Sequence, residues 1–347
     1  MPVYTINPLA DARWKDFCQR HPRSSVFHTA GWLEALRRTY GYEPIAYTTS
    51  SPTQELKNAV VFCRIESWLT GRRLVSLPFA DHCEPLVDED RDREEIFAAL
   101  RRALKQDRFK YVEVRPIDPG FFAATPLEQG EPFYLHRLGL GPALEDIFRN
   151  LQKDSIQRKI RRAERDGVAY EEGRSELLLR NFYGLLLLTR RRHRLPPQPL
   201  AWFRNLIACL RDRLTIRLAS HEGRPVAGIL TLQHRDTLVY KYGGSDAGYH
   251  NLGGMPFLMW KAIEAGKQTG LQMLDFGRSD RNNEGLIRFK DQLGTTRSLL
   301  AYGRISATPV PQKAGEGFWA GFAQRLFGYM PDFMFTAAGR LLYRHMA

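Results

Sequence analysis

The sequence predicts an α/β (α+β) protein with mixed central sheets flanked by helices, arranged as two tandem domains. Three observations support this prediction. The chain has 347 residues, more than a single domain of roughly 100 to 200 residues needs. Helical and strand-like patterns alternate along the chain instead of forming separate blocks. The same order of helix, strands, turn, helix and strand occurs once clearly and once less clearly, which indicates an internal duplication.

The first half begins its regular pattern with an amphipathic helix. In "TAGWLEALRRTYG", Trp32, Leu36 and Tyr40 fall on one helical stripe, and Gly41 predicts its end. The next elements are predicted from "EPIAYTT" (strand), "NAVVFCRI" (strand), "RRLVSLPF" (strand), "REEIFAALRRALKQ" (helix) and "KYVEVRP" (strand).

The second half has clearer turns. A long amphipathic helix from Glu176 to about Arg192 precedes a three-strand antiparallel meander with turns at Glu222-Gly223 and Arg235-Asp236. A glycine pair, Gly253-Gly254, then leads into a helix and into the strand "LQMLDFG".

Two segments divide the chain into predicted domains. A basic helix, "DSIQRKIRRAERDG", separates the halves, with Asp154 or Ser155 expected to cap its start and Gly167 expected to end it. Two prolines after Thr308 mark a second break. We therefore expect a first domain of residues 1–150, a second of residues 151–307 that starts with the basic helix, and a helical tail of residues 308–347.

Composition indicates the class of partner. The chain carries 51 basic and 38 acidic residues, a formal charge of +13, which favours phosphate-bearing partners or an anionic membrane face. Its four cysteines show neither zinc-ligand nor disulfide spacing. No signal-peptide pattern and no apolar run of about 20 residues is present, so a cytoplasmic protein is expected.

The glycine turn is the first candidate binding site. Because small residues lie between a strand and a helix in "YHNLGGMP", backbone N–H groups at Gly253 and Gly254 can approach a ligand, and the helix N-terminus favours negative charge. A phosphate or diphosphate would fit there. A plain tight turn explains the same pattern.

Four segments in the second half carry a specific resemblance. They are "YKYGGSD", "GGMPFLMWKAIEAG", "LDFGRSD" and "GLIRFKDQLG". Their order resembles the second domain of FemABX-like transferases, and is equally similar to related acyltransferases with a GNAT fold that are often found near exopolysaccharide genes. "QRKIRRAERDGV", and more loosely "VFHTAGWLEAL" and "YVEVRP", extend the resemblance toward the N-terminus.

The resemblance implies two GNAT-like domains and the transfer of an acyl or aminoacyl group onto an amine of a peptidoglycan or polysaccharide precursor. The donor would be a substrate, acyl-CoA or aminoacyl-tRNA, so no tightly bound cofactor is expected. The family's R-F-K segment maps onto Phe289 and Lys290, beside the donor, and its Y-x-Y-G strand maps a donor-contacting tyrosine onto Tyr242.

For this transfer the protein must align the donor with the acceptor amine, remove a proton from the amine and stabilise an oxyanion. Lys290 is the candidate oxyanion donor, and Gly253, Gly254, Phe289 and Tyr242 are the candidate donor-binding residues. A loop with an exposed lysine and a core phenylalanine is the alternative.

The segment "PFADHCEP" offers a candidate general base. Asp81 or His82 could take the proton from the acceptor amine. A structural loop explains the segment equally. No metal site is expected, because no second cluster with ligand spacing completes a tetrahedral set.

Two arginine clusters are candidate acceptor-binding sites. Arg190, Arg191 and Arg192 end a helix, where paired hydrogen bonds would suit a diphosphate. The resemblance implies that Arg37 or Arg38, together with this second cluster, holds a nucleotide-linked acceptor. A solvated helix face is the alternative for both clusters and for the basic linker helix.

The chain differs from the family pattern at two points, and its C-terminal tail has two explanations. The helical arm of some FemABX members is absent, and "HNLGGM" holds only half of an acyl-CoA signature, so tRNA and CoA both remain candidate donors. The tail around Phe318 and Trp319 suits either packing or peripheral contact with the inner membrane face. The alternative to an enzyme is a non-catalytic scaffold that binds nucleic acid or a membrane surface.

Overall fold

The computed structural model describes residues 1–306 and 331–345. Residues 308–330 of the predicted tail, including Phe318 and Trp319, lie outside the described residues.

The elements of the first 150 residues follow in chain order. They are β1 (Tyr4–Ile6), α1 (Arg13–Arg20), α2 (Ala30–Tyr40), β2 (Glu43–Thr48), β3 (Val60–Ser67), β4 (Gly71–Val75), α3 (Asp90–Gln106), β5 (Tyr111–Val114), β6 (Glu128–Gln129), β7 (Phe133–Gly139) and α4 (Leu144–Asn150).

The remaining elements complete the described chain. They are α5 (Arg158–Arg165), β8 (Ala169–Gly173), α6 (Glu176–Arg192), α7 (Leu200–Leu210), β9 (Leu214–His221), β10 (Arg224–His234), β11 (Thr237–Ser245), α8 (Gly254–Gln268), β12 (Met273–Ser279), α9 (Glu284–Gln292), β13 (Thr296–Leu300), β14 (Gly303–Ser306) and α10 (Asp332–Tyr343). No helix within the two described ranges is long and apolar enough to cross a membrane.

The described chain divides into two compact units, and each contains a seven-stranded sheet. Unit 1 comprises Met1–Phe133 with residues 299–306 and 340–345, and unit 2 comprises Tyr134–Ser298 with residues 331–339. The strand order is β1-β2-β3-β4-β5-β14-β6 in the first sheet and β13-β7-β12-β11-β10-β9-β8 in the second. Two mixed sheets flanked by helices confirm the predicted fold class.

The two sheets repeat one topology. Each contains a parallel pair joined by a helix: β4 and β5 around α3, and β11 and β12 around α8. In each sheet the neighbouring position is filled by an antiparallel strand from elsewhere in the chain, β14 beside β5 and β7 beside β12. This correspondence supports the duplication that the sequence indicates.

The unit boundary lies earlier in the chain than the predicted boundary at residue 150. The reason is that β7 pairs with β12, and α4 packs Ile147 and Phe148 against the core of unit 2. The basic helix α5 contributes Ile160 and Ala163 to the same core and leaves its charged residues outside.

Two local predictions are wrong. The strand expected to reach Phe79 ends at Val75, because Leu77 and Phe79 adopt positive φ angles of 54° and 62° and bend the chain. The basic helix is not capped by Asp154 or Ser155: the amide oxygen of Gln152 accepts the Ser155 N–H at 2.5 Å, and a π-helical turn, Lys153–Gln157, precedes α5.

Replacing each of two glycines of unit 2 by alanine should have opposite effects on stability. A Cβ on Gly184, inside α6, meets nothing within 4 Å, so Gly184→Ala should raise the free energy of unfolding by about 0.5 to 1 kcal/mol. A Cβ on Gly244 of β11 would lie 2.6 Å from the backbone of Leu185 in α6, so Gly244→Ala should lower it by about 1 to 3 kcal/mol. Urea unfolding measures both, and equal effects would contradict this close packing of α6 on β11.

Candidate functional site

A cavity of unit 2 lies beside β11, beyond the point where this strand stops pairing with β12. Pairing between β11 and β12 ends at Val239 and Asp275, although β11 continues to Ser245 and β12 to Ser279. The cavity has a volume of about 310 Å³. Its lining comes from α5 and the turn before it, α6, β10, β11, the turn into α8, and α9, and includes Lys159, Arg192, Tyr240, Ser245, His250, Gly254, Leu286, Phe289 and Gln292.

A bulge in β11 decides which tyrosine faces this cavity. Leu230 of β10 pairs with Tyr242 and Thr231 pairs with Tyr240, so Lys241 is an extra residue in β11. A bulge breaks the alternation of side chains along a strand. Tyr240 therefore packs on the core formed with α8, whereas Tyr242 lies on the other face against Phe203 of α7.

The tyrosine predicted to contact the donor, Tyr242, is thus not among the cavity residues. Its hydroxyl accepts a hydrogen bond from the Trp202 indole at 2.9 Å, and its side chain is buried. Tyr240 takes the place in the cavity that the sequence suggested for Tyr242. Burial raises the pKa of Tyr240 to about 12, so its hydroxyl keeps its proton at neutral pH.

Lys290 holds a second bulge, in β12. The register between β12 and β7 shifts between Asp275 and Arg278. The Lys290 ammonium donates to the carbonyl oxygens of Gly277 at 3.1 Å and Arg278 at 2.9 Å, and the Asp275 carboxylate accepts the Gly277 N–H at 2.7 Å. Both side chains therefore stabilise the bend at which β12 leaves β11.

Lys290 does not line this cavity, and its role in acyl transfer stays a prediction. The residue lies in the helix α9 and is only 2% exposed, so it is not an exposed lysine in a loop. Leu286, Phe289 and Gln292 of the same helix line the cavity instead. The structure thus brings the predicted Phe289 to the cavity and assigns Lys290 contacts that position the strand behind it.

The glycine turn brings the start of α8 to the cavity. Gly253 has a φ of +76°, and a Cβ there would lie 2.5 Å from the Lys159 carbonyl oxygen, so glycine alone allows α5 to approach so closely. Gly254, Met255 and Pro256, the first residues of α8, line the cavity. The N–H groups in the first turn of a helix have no partner within that helix, so this end of the cavity favours an anion.

Two cations and a histidine surround the same end. Lys159 of α5 and Arg192 of α6 both line the cavity, and the Arg192 guanidinium donates to the Ser245 carbonyl oxygen at 3.5 Å. The His250 imidazole Nε2 lies 2.9 Å from the Ser245 hydroxyl. Desolvation, followed by the charges of Arg192 and Lys159, lowers the pKa of His250, and Asp246 opposes this shift. His250 is therefore a neutral imidazole at neutral pH.

Asp81 and His82 belong to unit 1. The His82 ring is buried and lies edge-on to Phe27, with 5.5 Å between centroids. The Asp81 carbonyl oxygen accepts the Tyr302 hydroxyl at 2.8 Å, and Tyr302 lines a smaller cavity of about 190 Å³. Neither Asp81 nor His82 lines either of these cavities. Within residues 1–306 and 331–345, no group of three or more His, Cys, Asp or Glu side chains could hold a metal ion.

The predicted arginine clusters have different surroundings. Arg37 and Arg38 of unit 1 both pair with Glu34 of their own helix, at 2.8 and 2.6 Å. In unit 2, Arg191 lies over the Phe335 ring, 5.3 Å from its centroid. Arg190 is close enough to Tyr240 to oppose the rise of its pKa. Of the five predicted arginines, only Arg192 lines the described cavity of unit 2.

Three cavity residues were not singled out as site residues by the sequence. Lys159 lies in the basic helix α5, which the sequence pattern allowed to be a solvated face. Its carbonyl oxygen approaches Gly253 because α5 packs on α8, and this packing is not visible in the sequence. His250 starts the half-matched "HNLGGM" pattern, which was the available signal for it. Tyr240 carried no separate signal, because a strand pattern does not reveal a bulge.

A family model covers most of unit 2. Residues 150–291 match the family model described as an acetyltransferase (GNAT) domain. No curated protein sequence matches the chain.

Several solved structures share the fold. The chain is similar to FemX, with 13% identity, a TM-score of 0.68, and coverage of 87% of this chain and 97% of that one. It is also similar to a tandem GNAT protein from the clavulanic acid biosynthesis pathway, with 13% identity, a TM-score of 0.56, and coverage of 89% and 99%. A third is the C-terminal domain of a putative lysylphosphatidylglycerol synthetase from Agrobacterium fabrum, with 14% identity, a TM-score of 0.56, and coverage of 90% and 93%. Residues 150–291 therefore match an acetyltransferase (GNAT) domain, and the chain has the fold of FemX and of the tandem GNAT protein.

Proposed function

We propose that the unit 2 cavity binds an acyl-CoA and that the protein transfers the acyl group onto an amine. The observation that carries this proposal is the divergence of β11 from β12 beside the first turn of α8, with Lys159 and Arg192 at the same end. A diphosphate would be held by the helix N-terminus and the two cations. The acyl arm would extend along β11 into the gap between the strands.

The reaction needs few groups from the protein. The acceptor nitrogen attacks the thioester carbonyl, the resulting oxyanion collapses, and the CoA thiolate leaves. Tyr240 is a protonated phenol in the cavity and supplies the proton that the departing thiolate takes up. Asp81 and His82 stay the predicted acceptors of the amine proton, and Arg37, Arg38, Arg190 and Arg191 stay predicted contacts of the acceptor substrate.

The acceptor follows from the resemblance to FemABX-like transferases. We propose an amine of a peptidoglycan or polysaccharide precursor, modified in the cytoplasm or at the inner face of the membrane. A non-catalytic scaffold is not favoured, because a protonated phenol and two cations in one cavity fit an anionic donor and its transfer chemistry, which a scaffold does not require.

Aminoacyl-tRNA is the second candidate donor. One observation favours it: α5 has a strongly basic face formed by Arg158, Lys159, Arg161, Arg162 and Arg165, of which Lys159 reaches the cavity. A basic helix beside the donor site would suit the phosphates of an acceptor stem.

Donor binding separates these candidates. Titration calorimetry should show saturable binding of acetyl-CoA to the wild type, and Lys159→Ala or Arg192→Ala should each weaken it about tenfold, because each removes a charge-assisted contact of about 1.5 kcal/mol. The matched control is Arg180→Ala, an exposed arginine of α6 that pairs with Glu176 and does not line the cavity. If the protein binds aminoacylated tRNA more tightly than uncharged tRNA and does not bind acetyl-CoA, then aminoacyl-tRNA is the donor.

The pH dependence of binding tests the place of the diphosphate. Desolvation and, after it, the charges of Arg192 and Lys159 lower the pKa of His250, and an anion that offsets these charges raises it again. Binding then takes up a proton, so the affinity should rise as pH falls from neutral through the range in which His250 titrates, by up to about tenfold per unit of pKa change. His250→Gln should remove this dependence, whereas ionisation of the ligand itself affects both proteins equally. A wild-type profile identical to that of His250→Gln would contradict the site.

Lys290→Met distinguishes a positioning role from direct catalysis. The substitution leaves the carbonyl oxygens of Gly277 and Arg278 without their lysine donor, so it should lower the free energy of unfolding by about 1 to 3 kcal/mol. Acyl transfer should fall together with donor affinity as β12 relaxes. Lys261→Met is the control, since Lys261 makes a partly exposed pair with Glu264, worth under about 1 kcal/mol, and a contact with the Phe257 ring, but does not contact the backbone of β12. Unchanged stability and affinity with a large loss of turnover would instead indicate that Lys290 acts on the reacting atoms.

A further inference from the structure

The connection between β3 and β4 in unit 1 exposes two apolar side chains at its tip. Trp68 is 85% exposed and Leu69 is 56% exposed. Of the tryptophans that the structure describes, the other four, Trp14, Trp32, Trp202 and Trp260, are buried. An exposed tryptophan beside an exposed leucine keeps a large apolar area in water, which marks a contact surface.

Hydrogen bonds hold this tip in one conformation. The Ser67 hydroxyl accepts the N–H groups of Leu69 at 3.2 Å and Thr70 at 3.0 Å. The same hydroxyl lies 2.8 Å from the His345 imidazole, whose ring meets Trp68 edge-on at 5.7 Å between centroids. Arg73 donates to the His345 carbonyl oxygen at 2.8 Å. The exposure of Trp68 is therefore a property of a fixed turn.

Positive charge surrounds the tip. Arg72 and Lys110 are exposed, and the Lys110 side chain lies across Gly71, where a Cβ would meet its Cε at 2.5 Å. Arg344, next to His345, is exposed as well. Glu66 is the acidic partner of Arg72, at 3.1 Å, so these residues carry a net positive charge.

We propose that this tip, formed by Trp68, Leu69, Arg72, Lys110 and Arg344, docks on an anionic lipid bilayer. Tryptophan is favoured at the level of the lipid headgroups, because its ring is apolar and its indole N–H is polar. Each basic residue near an anionic surface adds about 1 kcal/mol, or about fivefold in affinity. A second copy of the chain fits less well, since two side chains offer far less than the roughly 1,000 Å² of a stable protein interface.

This surface goes beyond the proposed transfer reaction and does not involve the tail residues around Phe318. It would bring the enzyme to the membrane without a spanning helix. The surface and the donor cavity involve different residues, so either proposal can fail without the other.

Vesicle co-sedimentation of the full chain tests the proposal. The protein should bind vesicles of phosphatidylcholine containing phosphatidylglycerol, bind phosphatidylcholine alone much less, and dissociate as salt is raised. Trp68→Ala should weaken binding about tenfold, Lys110→Gln about fivefold, and Trp68→Phe much less than Trp68→Ala. The matched control is Leu177→Ala, since Leu177 of α6 is 67% exposed and lies outside the tip.

Three results would overturn the proposal. They are no binding to the anionic vesicles, equal binding by the wild type and Trp68→Ala, or a dimer in sedimentation velocity that Trp68→Ala dissociates. The last result would assign the tip to a second copy of the chain. Urea unfolding of Trp68→Ala, compared with that of the wild type, verifies that the variant is folded.

Discussion

The site depends on one constraint: two neighbouring parallel strands must stop pairing and stay apart. Strands in a sheet normally continue their ladder, because unpaired backbone groups are costly. In unit 2 the ladder between β11 and β12 ends after Val239 and Asp275. Each strand carries an irregularity close to this point, the extra Lys241 in β11 and the shift before Arg278 in β12. Lys290 and Asp275 hold the second irregularity through backbone contacts.

The charge at the cavity follows from a second packing constraint. Gly253 lets α5 approach the turn into α8, which places Lys159 beside a helix N-terminus. Arg192 is the last residue of α6, and the backbone of this helix packs against Gly244 of β11. Unit 1 lacks this arrangement within its described residues, although its strand order corresponds. Its equivalent helix α3 starts with Asp90 and Asp92, and acidic residues in the first turn disfavour a bound anion. The duplicated fold therefore supports an anionic donor in unit 2.

Local patterns predicted most of the elements, and long-range packing accounts for the rest. The stripe of Trp32, Leu36 and Tyr40 gave α2, and the turns Glu222-Gly223 and Arg235-Asp236 gave the meander, because these signals reside in a few neighbouring residues. The pairing of β7 with β12 was not predictable in this way, since its partners are far apart in sequence. For the site, Gly254 and Phe289, which the sequence suggested as donor-binding residues, both line one cavity, and their role in donor binding stays a prediction. The Y-x-Y pattern does not reveal the bulge at Lys241, which places Tyr242 on the face of β11 opposite Tyr240. The contacts of Lys290 with two backbone carbonyl oxygens were not predictable either, because only the folded β12 brings these oxygens to it.

The most direct test of this account is a crystal structure of the protein with acetyl-CoA bound. The account predicts the diphosphate at the first turn of α8 beside Lys159 and Arg192, the pantetheine arm along β11 beyond Val239, and the thioester near Tyr240. Acetyl-CoA bound in unit 1, or a unit 2 cavity that stays empty at saturating acetyl-CoA, would contradict it.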